Sequence, residues 1–164
     1  MTTAIQILLV EDNPGDADLT RESLAASKLR IELSVVVTGA EALEFMHKRG
    51  RFASASRPDL ILLDLNLPGI DGRTVLEDIK RDADLKRIPV CILTSSTAET
   101  DVVQGYNLGA NCYLVKPIDF KTFQNIVRAV EGFWFTIVKL PAAPEDARSG
   151  TKQSVEAGGS AKNQ

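Results

Sequence analysis

Acidic residues follow two short apolar runs of the sequence. The run from Ile7 to Val10 leads directly into Glu11 and Asp12, and the run from Leu60 to Leu63 leads into Asp64. Carboxylates that are brought together repel one another, and a hard divalent cation held by oxygen ligands relieves this repulsion. Magnesium suits such a site because it keeps a mostly aqueous shell with one or two carboxylates. The pattern therefore predicts a magnesium site.

Two further apolar runs end in groups that could bind a phosphoryl group. Thr94 and Ser95 follow the first of these runs, and Lys116 follows the second. A lysine and a hydroxyl exceed what a metal site needs, but they suit a phosphoryl group that lies on the metal. A neighbouring carboxylate can attack phosphorus and form an aspartyl phosphate. Asp64, alone at the end of its run, is the candidate nucleophile.

Each of these positions also has an ordinary explanation. A lone acid at the end of a strand is more often a helix cap or a solvated loop residue. The combination favours function, because four of the five runs end in suitable groups and the groups form a chemically complete set.

Five apolar runs have the length of strands, and segments with helical signals separate them. Thr38 followed by Glu41 is typical of a helix start, and Val75, Leu76 and Ile79 have helical spacing after Asp71. The runs are Ile5 to Val10, Ile31 to Val37, Leu60 to Leu63, Val90 to Leu93 and Cys112 to Val115. This alternation predicts an α/β fold with a doubly wound, five-stranded parallel sheet. The carboxyl ends of its strands, where ligands bind, lie along one edge.

Composition limits the possible functions. The chain has 164 residues, a formal net charge of −3 and a single histidine, His47, so we expect one main domain and no nucleic-acid partner. Neither of the Gly-rich phosphate-loop patterns, G-x-G-x-x-G and G-x-x-x-x-G-K-[ST], occurs in the sequence. Cys91 and Cys112 lie in apolar runs, and without a leader or a membrane span we expect reduced thiols and a cytoplasmic protein.

The C-terminal part of the sequence has two different characters. We expect a last helix from Asp119 to about Phe135, whose apolar stripe comprises Phe120, Phe123, Val127, Val130 and Trp134. The apolar character then continues to Leu140, further than one helix face on a sheet can bury. Residues 141–164 lack aromatic residues, so we expect a domain over 1–140 and a disordered tail over 141–164. A tail of this length leaves no room for a DNA-binding domain, so we expect a single-domain protein.

The sequence resembles the response-regulator receiver domains of two-component signalling over about residues 5–133. The matching motifs are Leu9-Val10-Glu11-Asp12-Asn13, Leu62-Leu63-Asp64-Leu65-Asn66-Leu67-Pro68-Gly69-Ile70-Asp71-Gly72, Leu93-Thr94-Ser95 and Val115-Lys116-Pro117. The resemblance implies strand order 2-1-3-4-5. It also implies a phosphoacceptor at Asp64, with Glu11, Asp12, Asp64 and the backbone carbonyl of Asn66 around magnesium. Glu11 stands where many members have aspartate, and its longer side chain favours contact with the metal through water.

The resemblance assigns further roles around the phosphoryl group. Lys116 would bind phosphoryl oxygens and form a cis peptide with Pro117, while Thr94 would turn inward to the phosphoryl group beside a small Ser95. Tyr113 matches the aromatic switch position, and its ring would fill the space that Thr94 leaves. Without the resemblance, a tyrosine that packs at the rim of the sheet explains this residue equally well.

The chain is similar to the response regulators that partner bacterial and cyanobacterial phytochrome kinases. This similarity rests on Glu11 to Asp16, Tyr106 to Tyr113 and Phe133 to Phe135. It implies a sensor histidine kinase as partner, a downstream target or phosphotransfer protein, and a homodimer. The expected dimer residues are Tyr106, Phe133, Trp134, Phe135 and Val138. The alternative is an apolar helix end that folds back on its own sheet.

Two other functions remain open at the level of sequence. A phosphatase with an aspartyl-phosphate intermediate commonly has a second acid two residues after the nucleophile, and that position is Asn66 here. A receiver-like scaffold that never carries phosphate is the second alternative. The intact set of Asp12, Asp64, Thr94 and Lys116 counts against it. As a regulator, the protein would perform no catalysis beyond its own phosphorylation and slow dephosphorylation.

Overall fold

We describe a computed structural model of the chain, over residues 4–26, 29–105, 108–119, 121–126 and 128. The chain divides into two compact units, residues 1–123 and 124–164. The first unit contains the sheet and its helices, and residues 121–123 are helical. In the second unit, residues 124–126 and 128 are helical.

Strands and helices alternate along the first unit, as the apolar runs predict. The strands are β1 Ile5–Val10, β2 Ile31–Val36, β3 Leu60–Asp64, β4 Val90–Thr94 and β5 Cys112–Val115. The helices are α1 Pro14–Ala25, α2 Gly39–Met46, α3 Gly72–Arg81 and α4 Thr97–Gly105, with short 3-10 helices at Gly50–Phe52 and Leu85–Arg87. All strand pairs are parallel, and the order is β2-β1-β3-β4-β5. The predicted fold and strand order are confirmed.

Polar side chains start the helices that follow the first three strands. The Asn13 side chain accepts a hydrogen bond from the backbone of Asp16 at 3.0 Å, and α1 begins at Pro14. Thr38 caps α2 in the same way, as the sequence predicts. These caps satisfy backbone donors that would otherwise lack partners at the helix starts. Each helix therefore starts close to the carboxyl end of the preceding strand.

The central strands β3 and β4 are buried along their whole length. Because successive side chains of a strand point to opposite faces, these strands contribute to packing on both sides of the sheet. Ile61, Leu63 and Ile92 pack in one core cluster with the buried residues of α2 and α3. In register, Val10 lies beside Leu63, and Asp64 lies beside Leu93. The ends of neighbouring strands therefore lie together at the same edge.

Gly72 brings the start of α3 very close to the end of β3. A Cβ atom at this position would lie 2.6 Å from the backbone oxygen of Asp64 and 2.6 Å from Cα of Leu65. The Gly72 N–H donates a hydrogen bond of 3.1 Å to the Leu65 carbonyl. Only glycine fits this contact, which fixes the backbone beside Asp64.

The two cysteines correct one expectation. Cys91 and Cys112 lie directly opposite each other on β4 and β5, with Cα atoms 4.7 Å apart, and they form a disulfide. The expectation of reduced thiols was wrong because the sequence alone does not give the register that places these residues side by side.

Several expectations concern residues outside the described part of the chain. These are the helix residues Phe120, Val127 and Val130, the expected dimer residues Tyr106, Phe133, Trp134, Phe135 and Val138, and the tail 141–164. Among the residues that the structure describes, no helix is long and apolar enough to cross a bilayer.

Candidate functional site

Lys116 joins the acidic residues at the carboxyl edge of the sheet. Its Nζ atom lies 3.1 Å from Oε1 of Glu11, 3.0 Å from Oδ2 of Asp64 and 2.9 Å from Oδ2 of Asp16. These residues come from the ends of β1, β3 and β5 and from the first turn of α1. Residues up to 105 positions apart in the sequence therefore form one charged cluster.

This cluster is largely withdrawn from solvent. The side chains of Glu11 and Asp64 are 0% and 4% exposed, and that of Lys116 is 13% exposed. Burial and the neighbouring Asp64 carboxylate raise the pKa of Glu11 to about 7, although Lys116 opposes this rise. Burial lowers the pKa of Lys116, but hydrogen bonds to Asp16 and Asp64 outweigh it and raise the pKa overall. The lysine is therefore a fixed positive charge at neutral pH.

Glu11, Asp12 and Asp64 can contribute oxygen atoms to one metal ion. Each of these residues has a carboxylate oxygen within 4.8 Å of those of the other two. Hard oxygen donors of this kind fit a magnesium or manganese ion. Glu11 is buried and already engaged by Lys116, whereas Asp12 is exposed. The geometry therefore favours Asp12 for direct ligation and is compatible with an indirect role for Glu11.

Asn66 lies two residues beyond Asp64, in the loop that leads to α3. Its backbone N–H donates to Oδ1 of Asp64 at 2.9 Å, and its side-chain amide donates to Oε2 of Glu99 at 2.7 Å. The Asn66 backbone thus holds one oxygen of the Asp64 carboxylate. Lys116 holds the other oxygen, so the carboxylate has a defined orientation.

The Thr94 side chain is fully buried at the end of β4. Its hydroxyl lies 2.5 Å from the hydroxyl of Thr100 and 3.1 Å from the carbonyl of Leu114. Ser95 is exposed, and its backbone N–H donates to Oε1 of Glu99 at 2.6 Å. The hydroxyl that is expected to bind a phosphoryl group is therefore directed at α4 and β5.

The start and end of β5 also carry expected features. Tyr113 is partly buried and packs against the core cluster, and Ile92 is its register partner on β4. The Lys116–Pro117 peptide bond is cis, as the resemblance implies. The switch role of Tyr113 stays a prediction.

Sequence reasoning missed three residues that contact the site, Asp16, Glu99 and Thr100. A signal existed for Glu99, because Ser96 and Glu99 have the serine-to-glutamate spacing of a capping box, and the Ser96 hydroxyl accepts from the Glu99 N–H at 3.1 Å. His47 pairs with Asp78 at 2.7 Å, between α2 and α3, and takes no part in the site.

The sequence matches the family model for the response regulator receiver domain over residues 7–128. It is 47% identical over 137 residues to the response regulator Rcp1 of Synechocystis sp., and the match covers 84% of this chain and 93% of Rcp1. The Mn²⁺-bound structure of Rcp1 has a TM-score of 0.64 at 46% identity, covering 84% of this chain and 99% of that chain.

Two further solved structures are closely similar. The phosphorylated cyanobacterial phytochrome response regulator RcpA has a TM-score of 0.66 at 46% identity, covering 82% of this chain and 96% of that one. The bacteriophytochrome response regulator RtBRR has a TM-score of 0.72 at 43% identity, covering 78% of each chain. The sequence, the strand order and the charged edge of the sheet all match those of a receiver domain. The chain therefore belongs to the response regulator receiver domain family, whose members work through phosphorylation of an aspartate.

Proposed function

We propose that this protein accepts a phosphoryl group on Asp64 from a histidine of a sensor kinase. The main support is the contact of 3.0 Å between Nζ of Lys116 and Oδ2 of Asp64, because Lys116 is a largely shielded cation, 13% exposed, beside the proposed nucleophile. A cation at this position stabilises negative charge that develops on the transferred group. The roles given to Lys116, Thr94 and the magnesium ligands belong to the same proposal.

The transfer is a displacement at phosphorus. A carboxylate oxygen of Asp64 forms the new P–O bond, and the P–N bond to the kinase imidazole breaks. The electron pair of that bond returns to the imidazole nitrogen. Lys116 neutralises phosphoryl oxygens, and after the side chain of Thr94 turns inward, its hydroxyl donates to another.

Glu11, Asp12, Asp64 and the carbonyl of Asn66 would hold magnesium. The three carboxylates have oxygens close enough for one ion, and the related Rcp1 has a solved Mn²⁺-bound form. When bound, the ion supplies positive charge to the phosphoryl oxygens. The protein itself orients the carboxylate of Asp64 through Lys116 and the Asn66 N–H.

Intact-mass measurement tests the proposal. Incubation with magnesium and acetyl phosphate should add one labile phosphate to the parent protein and none to Asp64→Asn. An exposed control, Asp101→Asn on α4, should label like the parent. The absence of any adduct on the parent would favour an unphosphorylated scaffold, and rapid multiple turnover would favour a phosphatase.

The partner and output of the protein are also proposals. RcpA and RtBRR are named as phytochrome response regulators, so we infer a phytochrome kinase as the phosphodonor and a downstream protein as the target. A phytochrome that phosphorylates unrelated receivers equally fast would argue against this pairing.

We expect the change at Asp64 to reach the surface of α4 and β5 through Thr94 and Tyr113. Unchanged NMR signals of the Tyr113 ring after phosphorylation would contradict this route.

We further propose a homodimer that uses Tyr106, Phe133, Trp134, Phe135 and Val138. Within the described residues, Val102 on α4 and Val115 on β5 are 58% and 39% exposed, so these two elements also present apolar side chains to solvent. Sedimentation at several concentrations should reveal a dimer that Trp134→Ala weakens. A strict monomer at tens of micromolar would refute this arrangement.

A cytoplasmic location also remains a proposal. Disulfides are typical of oxidising compartments, and the structure contains one between Cys91 and Cys112. Cell fractionation tests the location: recovery of the protein in the cytoplasmic fraction would support it, and recovery outside that fraction would argue against it.

A further inference from the structure

The carboxylate of Glu99 connects the loops that follow β3 and β4. Its Oε1 accepts from the Ser95 N–H at 2.6 Å, and its Oε2 accepts from the Asn66 side-chain amide at 2.7 Å. Glu99 lies in the first turn of α4, held there by the hydrogen bond from its own N–H to the Ser96 hydroxyl. The helix start therefore presents an anion to both loops.

This carboxylate lies where a phosphoryl group on Asp64 would need donors. Asn66 is two residues beyond Asp64, and Ser95 directly follows Thr94. The two strand ends are neighbours in register, because Asp64 lies beside Leu93. Glu99 thus connects the loops that follow two neighbouring strand ends, and one of its partners, Asn66, also donates from its backbone N–H to Oδ1 of Asp64 at 2.9 Å.

A phosphoryl group and Glu99 compete for the same surroundings. A phosphoryl group carries about −1.5 to −2 charge at neutral pH and is stabilised by N–H donors. Glu99 occupies the Ser95 N–H and one N–H of the Asn66 amide, and its negative charge disfavours a second anion on the same donors. The Ser95 N–H is a single donor and can serve only one of the two anions.

We propose that Glu99 is a positioning residue that holds the receiver in its unphosphorylated arrangement and must release Ser95 and Asn66 when Asp64 is phosphorylated. This inference rests on the proposed function of Asp64. Release of Glu99 frees the first turn of α4, so phosphorylation changes the contacts of a helix that belongs to the expected output surface. Glu99 therefore opposes phosphorylation and links it to movement of α4.

Glu99→Ala should accelerate phosphorylation by acetyl phosphate. In this reaction an Asp64 oxygen forms a bond to phosphorus, the P–O bond to the acetyl group breaks, and acetate leaves with the electron pair. We expect a rate increase of about five- to twentyfold, because both charge-assisted hydrogen bonds of Glu99 are lost and water partly replaces them. The affinity for beryllofluoride, a phosphoryl mimic, should rise by a similar factor in calorimetry with magnesium present.

Two further variants separate the effect of the Glu99 hydrogen bonds from the effect of negative charge on α4. Asp101→Ala removes the same charge from an exposed position of the same helix, and it should leave the rate within twofold of the parent. Glu99→Gln retains the size and an acceptor for the Ser95 N–H, so its rate should lie between those of the parent and Glu99→Ala. Thermal unfolding checks that all variants are folded.

The outcomes distinguish this inference from the function on which it rests. If the parent forms no adduct, the proposed function fails. If the parent is labelled and Glu99→Ala reacts at the parent rate or more slowly, only the role of Glu99 is overturned. An equal acceleration by Asp101→Ala would also overturn it, because charge alone would then explain the effect.

Discussion

Replacement of Lys116 by methionine tests whether this single cation holds the acidic edge of the sheet together. Methionine is unbranched and of similar length, so the packing of the side chain is largely retained while the charge is lost. In the parent, Nζ of Lys116 lies within 3.1 Å of oxygens of Glu11, Asp16 and Asp64. The variant therefore removes three close contacts between opposite charges.

The expected loss of folding stability follows from the burial of the ion pairs that Lys116 makes. Breaking a buried ion pair costs about 3–5 kcal/mol, because the remaining charge stays uncompensated. Asp16 is 35% exposed and contributes little. Since the pKa of Glu11 is already about 7, this residue can take up a proton in the variant, which limits the loss. We expect the free energy of unfolding to fall by about 2–4 kcal/mol in metal-free buffer.

Urea unfolding in EDTA measures this difference, with the exposed Lys86→Met as the control. For a chain of this size, the loss corresponds to a decrease in Tm of about 4–16 °C. Saturating magnesium should reduce the difference, because a bound cation replaces part of the missing charge. A metal-free variant as stable as the parent would refute the reasoning, and so would a deficit that magnesium does not change.

Three other changes have defined outcomes. Gly72→Ala should lower the free energy of unfolding by about 1–3 kcal/mol in urea titrations, because the new Cβ overlaps the backbone of Asp64 and Leu65. This overlap outweighs the preference of alanine for helices. An unchanged urea midpoint would contradict the close approach of the two backbones. Hydrogen bonds from the backbone of Leu85 and Asp84 lower the pKa of Asp82, so the stabilisation by its carboxylate is present above about pH 3.8 and is lost as the pH falls through the lowered pKa. Asp82→Asn should therefore be less stable by a constant amount between about pH 5 and 8 in thermal melts, and the difference should shrink below about pH 4. Alkylation of the purified, denatured protein before reduction should label neither Cys91 nor Cys112, and full labelling would argue against their disulfide.

Prediction from the sequence succeeded where the signal is local. The apolar runs gave the strands to within a residue at each end, and the cap Thr38 marked the start of α2. Residues at the strand ends were correctly predicted to meet near Lys116, because all strands are parallel and their carboxyl ends lie at one edge of the sheet. The strand order came from the resemblance to a family, since the alternation of elements alone permits other orders.

The contacts that sequence reasoning missed depend on register and on rotamers. The Cys91–Cys112 disulfide requires these residues to be direct partners on β4 and β5. The bridge of Glu99 to Asn66 joins residues 33 positions apart through side chains whose directions no local pattern encodes. Glu99 has the sequence signature of a capping box, but its side chain binds the N–H of Ser95 and not that of Ser96.

The hydroxyl of Thr94 has one proton and more than one acceptor within reach. The Thr100 hydroxyl, the Leu114 carbonyl and the Ser96 carbonyl lie 2.5, 3.1 and 3.4 Å away. The hydroxyl can donate to only one of them at a time, and the Thr100 hydroxyl can itself donate to the Ser96 carbonyl, at 3.1 Å. If Thr94 turns towards Asp64, it therefore leaves behind acceptors of which at least one retains another donor. Several alternative acceptors hold the Thr94 side chain in its resting position. The rotation proposed for Thr94 therefore does not depend on breaking one particular hydrogen bond.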